Sequence, residues 1–146
     1  MEELDRRICQ LLAANGRMSF TALGKETGLS TSAVHQRVRR LEQRGVIRGY
    51  VANIDFREVG LPLTAFISIR PLDASQPDDS PDRLADIPEI ESCYSVAGDE
   101  SYILKVRVAE PSDLEELLAR IRTSANVATR TTIVLSTPYE QRAPRF

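Results

Sequence analysis

Gly24, Gly28 and Val34 sit in the stretch SFTALGKETGLSTSAVHQRVRRLEQRG (19–45) at a spacing that few local folds satisfy. Ser19 is placed to cap a short helix through Lys25, with Phe20 and Leu23 as its apolar side and Gly28 as its end. Ser30 or Thr31 then caps a second helix in which Val34, Val38 and Leu41 recur at i, i+4 and i+7, and Gly45 closes it. For two such helices to meet across so short a turn, one glycine must let them approach and another must take a positive φ. An apolar side chain must then pack between them. The stretch predicts a helix-turn-helix.

At ~100° per residue, the face opposite the apolar stripe presents Ser32, His35, Gln36, Arg39 and Gln43, with Arg37 and Arg40 toward the flanks. The second helix of such a motif lies in the DNA major groove with its N-terminal side chains at base edges. Ser32, His35 and Gln36 are therefore the base-edge candidates, and Ser30 and Thr31 lie at a helix N-terminus, where phosphate is favoured. Arg37, Arg39, Arg40 and Arg44 are expected to meet phosphate oxygens, Arg39 being also able to read guanine bidentately. A solvated arginine-rich helix is the competing reading. The glycine spacing, the capped start and the local excess of base together favour DNA.

The charge distribution agrees. Residues 1–60 hold 10 Lys/Arg against 7 Asp/Glu and residues 61–146 hold 9 against 14, so halves of +3 and −5 underlie the total of −2. Such asymmetry suggests two modules, one suited to a polyanion and one not.

Upstream, ELDRRICQLLAANG (3–16) predicts a first amphipathic helix with Leu4, Ile8, Leu11 and Leu12 inward. Downstream, VIRGYVANID (46–55) is rich in β-formers and predicts a strand or small ribbon acting as a hinge. LPLTAFISI (61–69) alternates as a strand, PLDASQPDDSPD (71–82) reads as a loop, and DRLADI as a short helix stopping at Pro88. IESCYSVAG and YILKVRVA predict an antiparallel hairpin, and EPSDLEELLARIRTS a helix begun by Pro111 or a Ser112-x-x-Glu115 cap. VATRTTIVLST predicts the last strand, before a polar tail. The order after residue 60 is β-α-β-β-α-β, the ferredoxin-like arrangement, and the chain as a whole is α+β. The expected organisation is a helix-turn-helix domain over 1–45, a linking segment over 46–60 and a ferredoxin-like domain over 61–146. The sheet face away from the helices carries Phe66 among Thr64 and Ser68, which suggests pairing with another subunit.

Several classes of chemistry are disfavoured. Cys9 and Cys93 lie 84 positions apart and outside any C-x-x-C pair, so they read as reduced structural thiols. A single histidine, His35, leaves no site that needs two imidazoles, and no metal or cofactor is expected. No apolar run approaches the ~20 residues of a membrane span and the start MEELDRR is not a leader, so a cytoplasmic protein is expected.

The stretches LDRRICQLLAANGRMSFTALGKETGLS, RRLEQRGVIRGYVANID and VAGDESYILKV resemble the Lrp/AsnC feast/famine transcription regulators over nearly the whole chain. Gly28-Leu29-Ser30, Arg37-Val38, Leu41 and Gly45-Val46-Ile47 match the family's DNA-binding pattern. The resemblance implies an N-terminal helix-turn-helix on double-stranded DNA and a C-terminal domain forming homodimers and larger rings, often octamers. It also implies a free amino acid effector at a loop corresponding to Gly98, Asp99, Glu100, Ser101 and Tyr102, with Thr131 nearby. Physically, Asp99 and Glu100 are candidate ammonium acceptors and Gly98 permits close backbone approach. Ser101 departs from the aspartate common at that point of the family's loop.

The reading is a sequence-specific DNA-binding transcription regulator, and not an enzyme, whose assembly and operator binding respond to a free amino acid. One alternative is an architectural DNA-wrapping protein without an effector. Another is a tetrapyrrole decarboxylase-like enzyme on the same layout, but such enzymes use histidines in the second module and residues 61–146 contain none.

Overall fold

The computed structural model describes every residue from Met1 to Phe146. The residues pack into two units, Met1–Asn53 with Pro138–Phe146, and Ile54–Thr137.

The first unit contains three helices, α1 (Glu3–Ala14), α2 (Phe20–Thr27) and α3 (Thr31–Gln43). Each contributes one stripe to a common core of Ile8, Leu12, Leu23, Val34, Val38 and Leu41, against which Met18, Leu29 and Ile47 pack. Fully burying an aliphatic side chain of this size is worth roughly 1.5–3 kcal/mol. The core is small, so each member matters. Asp5 joins the buried stripe of α1 alongside Ile8 and Leu12, which the apolar pattern alone did not announce.

The second unit is built from β1 (Leu63–Pro71), α4 (Ser80–Leu84), β2 (Ile90–Ser95), β3 (Tyr102–Val108), α5 (Pro111–Ala125) and β4 (Val127–Ile133). The strands form one antiparallel sheet in the order β2-β3-β1-β4, with β1 registered Ile67↔Leu104 and Ile67↔Thr131. Alternation then sorts the faces. Ala65, Ile67, Ile69, Tyr102, Leu104, Val106 and Val108 are buried in one core with Leu114, Leu117 and Ile121 of α5. The α+β class and the ferredoxin-like order expected from the sequence are what the structure shows.

Three local expectations are corrected. Residues 46–55 form no strand, because a β-rich segment needs a ladder partner and none in this chain pairs with it; Val51 is 95% exposed. The short helix starts at Ser80 rather than Asp82, since Pro81 occupies the first turn, where its missing N–H costs nothing. For α5 the N-cap is Glu110, whose N–H donates to Asp113 Oδ2 at 3.0 Å, so Ser112 is not the cap.

Candidate functional site

Two serine caps, two glycines and one packed valine fix α2, α3 and the turn between them. Ser19 Oγ accepts the Ala22 N–H at 3.0 Å at the start of α2, and Ser30 Oγ accepts the Ala33 N–H at 3.2 Å at the start of α3. Gly28 takes φ +73°, a left-handed conformation that glycine enters without penalty. Gly24 is buried, and a Cβ there would stand 2.6 Å from the Leu29 carbonyl oxygen, while Leu29 N–H donates to Gly24 O at 3.0 Å. One glycine therefore serves conformation and the other serves contact, and Val34 fills the space between the helices.

With Val34, Val38 and Leu41 buried, α3 turns Thr31, Ser32, His35, Gln36 and Arg39 to solvent. Ser30 and Ser32 hydroxyls lie 3.3 Å apart at its N-terminus, beside the N–H groups of the first turn. His35 packs edge-on against Phe20 of α2, ring centroids 5.1 Å apart, which steadies an otherwise free imidazole. Arg39 and Arg44 make no ion pair within the chain and are exposed.

Arg37 and Arg40 behave differently. Arg37 Nη1 donates to Glu2 Oε2 and Asp5 Oδ1, both at 2.8 Å, and Arg40 Nη2 donates to Asp5 Oδ2 at 3.4 Å. The Arg37 side chain is only 22% exposed, against 49% for Arg40. Of the four arginines read as phosphate contacts, Arg39 and Arg44 are free to meet a polyanion, Arg40 is partly engaged, and Arg37 faces two carboxylates of α1 and its cap. The signal that could have found this pairing is the position of Asp5, on the same helical stripe as Ile8 and Leu12.

At one end of the sheet in the second unit lies a cavity of about 350 Å³, lined among others by Ser68, Arg70, Asp99, Glu100, Ala128 and Arg130. Register puts Ser68 opposite Arg130, so these side chains share the face away from the helices. Glu100 pairs with Arg130 across the cavity. The Arg70 guanidinium and the Asp99 carboxylate have no side-chain partner in the chain, which leaves one free cation and one free anion at the same opening. Gly98 sits beside it with space for a Cβ, the nearest atom being Glu100 Oε2 at 4.0 Å.

The remaining loop candidates go elsewhere. Ser101 holds the hairpin, its N–H donating to Ile69 O at 3.0 Å and its carbonyl accepting the Val96 N–H at 3.2 Å. Tyr102 points into the helix-side core and donates its hydroxyl to Asp78 Oδ1 at 2.8 Å; that bond and then burial push the phenol above its ordinary value. Thr131 pairs with Ile67 and lies on the helix-facing side of the sheet. The cavity thus gathers Asp99 and Glu100 of the sequence-derived set and adds Ser68, Arg70 and Arg130, which sequence reasoning missed.

Burial pushes both thiols up, with Asp5 adding to the effect at Cys9. Both cysteines are free. No group of three or more His, Cys, Asp or Glu is placed to hold a metal ion, and no helix is long and apolar enough to cross a membrane.

Comparison with known proteins places this geometry. The AsnC-type helix-turn-helix domain matches residues 1–42 and the Lrp/AsnC ligand binding domain matches residues 64–144. The HTH-type transcriptional regulator LrpA of Mycobacterium tuberculosis is 57% identical over 142 residues, covering 97% of this chain and 95% of that protein. The crystal structure of the M. tuberculosis leucine response regulatory protein LrpA superposes with a TM-score of 0.89 at 55% identity, covering 99% of this chain and 100% of that one. A feast or famine regulatory protein of M. tuberculosis complexed with L-methionine does so at 0.94 and 56% identity, covering 98% and 99%.

Proposed function

Because the chain belongs to the Lrp/AsnC family of transcription regulators, we propose that α3 is its DNA-reading helix and that the cavity at the sheet end receives a free amino acid effector. The observation that carries the first half is the outer face of α3. A helix rigidly capped at Ser30 and anchored by Val34, Val38 and Leu41 presents hydroxyl, imidazole, amide and guanidinium groups in one solvent-facing row. Ser32, His35 and Gln36 then stand at base edges, with Ser30 and Thr31 at the phosphate-favouring N-terminus. Arg39 and Arg44 supply phosphate neutralisation, with Arg40 contributing in part.

The effector half rests on the unpartnered charges. A free amino acid carries an ammonium and a carboxylate a few ångströms apart, and Asp99 and Arg70 offer the complementary pair at one opening. Gly98 is under no conformational demand from the chain itself, which fits a backbone kept bare for a ligand. The L-methionine found in the M. tuberculosis relative makes methionine the first candidate for this chain. Assembly as a homodimer and then a higher oligomer, up to an octamer, belongs to the same proposal. Its support is the open sheet face, where Phe66 and Tyr94 are 36% and 51% exposed. The function is regulatory rather than catalytic.

Two experiments test the halves separately. Fluorescence anisotropy with DNA from the chain's own promoter should show binding that weakens steeply with salt as counterions are released, and no binding at low salt would sink the DNA reading. A thermal-shift screen of the twenty amino acids should raise the melting temperature for a subset including methionine, since a ligand of the folded state stabilises by mass action. A flat screen would remove the effector.

A further inference from the structure

Asp5 is 1% exposed, in a helical unit whose other buried side chains are apolar. Burying a carboxylate is expensive unless cations and hydrogen bonds replace its water, so a charge in this position calls for a reason beyond packing. Both of its oxygens are engaged, Oδ1 by Arg37 at 2.8 Å and Oδ2 by Arg40 at 3.4 Å, and Glu2 adds a second acceptor for Arg37 at 2.8 Å. Arg37 and Arg40 stand three residues apart on one flank of α3, so a single fixed carboxylate joins the buried Val34, Val38 and Leu41 in holding the roll of that helix about its axis. The same contacts keep the Arg37 guanidinium, and in part that of Arg40, from phosphate.

We propose that Asp5 is a positioning and specificity-determining residue for DNA recognition: it aims the outer face of α3 and withholds Arg37, and part of Arg40, from sequence-independent phosphate binding. The inference rests on the reading that α3 binds DNA. Phosphate contacts add affinity for every sequence alike, whereas base-edge contacts separate one sequence from another. Of the arginines on this helix and its cap, Arg39 and Arg44 are left wholly free to attract the backbone, and Arg40 in part. Discrimination then falls on Ser32, His35, Gln36 and Arg39. An acid that only braced the helices would strengthen binding to all DNA by preserving the fold. An acid that also masks charge weakens non-specific binding, and the two roles predict opposite signs.

The test uses the full chain, a random-sequence duplex and a duplex enriched by the wild-type protein from random DNA, with anisotropy measured across a salt series. Asp5→Asn keeps the side chain's size and removes its charge. The expected result is tighter binding to the random duplex, a smaller ratio of enriched to random affinity, and a log-log salt slope steeper by about 1 to 2, each new phosphate contact adding about 0.9. Each such contact makes the affinity loss over a fourfold rise in salt larger by roughly 3.5-fold. Glu2→Gln guards against a folding defect, because the Glu2 side chain is 62% exposed; it should shift the slope the same way by less. The inference is overturned if both variants keep the wild-type slope, or if Asp5→Asn weakens both duplexes in proportion with its slope unchanged. Failure of the wild type to bind either duplex at low salt would overturn the DNA reading itself, and this inference with it.

Discussion

Replacing Gly24 by alanine sets two known effects against each other. Alanine is the better helix former by about 1 kcal/mol, so propensity alone predicts a more stable α2. Against that, the new Cβ would stand 2.6 Å from the Leu29 carbonyl oxygen, a separation that real Cβ atoms do not show. The obstacle is backbone, and the turn that holds it cannot drift freely. Leu29 packs on the helical core, its N–H is bonded to Gly24 O at 3.0 Å, and the next residue, Ser30, caps α3. Overpacking of this kind costs about 1–3 kcal/mol, and loosening the turn bond adds about 1 kcal/mol. The clash outweighs propensity, for a net loss of about 2 kcal/mol. Amide hydrogen exchange separates the two units: protection in α2 and α3 should fall by roughly 30-fold while the β1–β3 ladder is unaffected, each 1.4 kcal/mol being tenfold. Gly16→Ala is the control, because its Cβ would meet nothing closer than 3.7 Å. Equal or greater protection of α3 in Gly24→Ala would refute the close-approach argument.

The other expectations concern titration and the cavity. Burial raises the Glu89 carboxyl, but the Arg120 hydrogen bond, a backbone hydrogen bond and the Arg120 charge together outweigh it, leaving the group below its ordinary value. Its contribution to stability is therefore present above the ordinary carboxylate range and lost as pH falls through the lowered value, so Glu89→Gln should flatten the acid limb of a urea-midpoint-against-pH curve. Tyr50, pushed up to about 12 by burial and then by its bond to Glu42, keeps its proton after an unfolded phenol near 10 has ionised. That stabilising contribution is full below about pH 10 and lost as pH rises through about 12, so Tyr50→Phe should remove part of the alkaline decline and delete a late step in phenolate absorbance. Asp99→Asn should abolish the amino acid-dependent thermal shift without lowering the melting temperature of the ligand-free protein, since its carboxylate holds nothing in the chain.

How far the sequence could be read depended on whether the deciding partner was local. Ser19, Gly24, Gly28 and Ser30 act within a few residues of themselves, and their roles were visible in their spacing. The strand alternation of LTAFISI and the stripe of α5 were visible for the same reason. Residues 46–55 misled because β propensity speaks of side-chain fit and not of whether a neighbour exists. Asp5 was hidden because an acid is read as solvent-facing by default, although its helical phase already placed it with Ile8 and Leu12. Tyr102 and Thr131 were legible in part, since Tyr102 shares the parity of Leu104 and Val106 and so belongs to the core side. Arg70 and Arg130 entered the cavity only through the pairing of β4 and the hairpin end with β1, which a single linear sequence does not display.

The central claim is that the outer face of α3 reads bases, and selection of bound sequences from a random DNA pool tests it most directly. Wild type and Gln36→Ala are compared, Arg44→Ala serving as the phosphate control. The account predicts that Gln36→Ala loses preference at one or two base positions, about 1–3 kcal/mol each, and keeps the rest of the motif. Arg44→Ala should keep the whole motif and weaken every sequence alike. An unchanged motif in Gln36→Ala, or an equal loss at all positions, would contradict it.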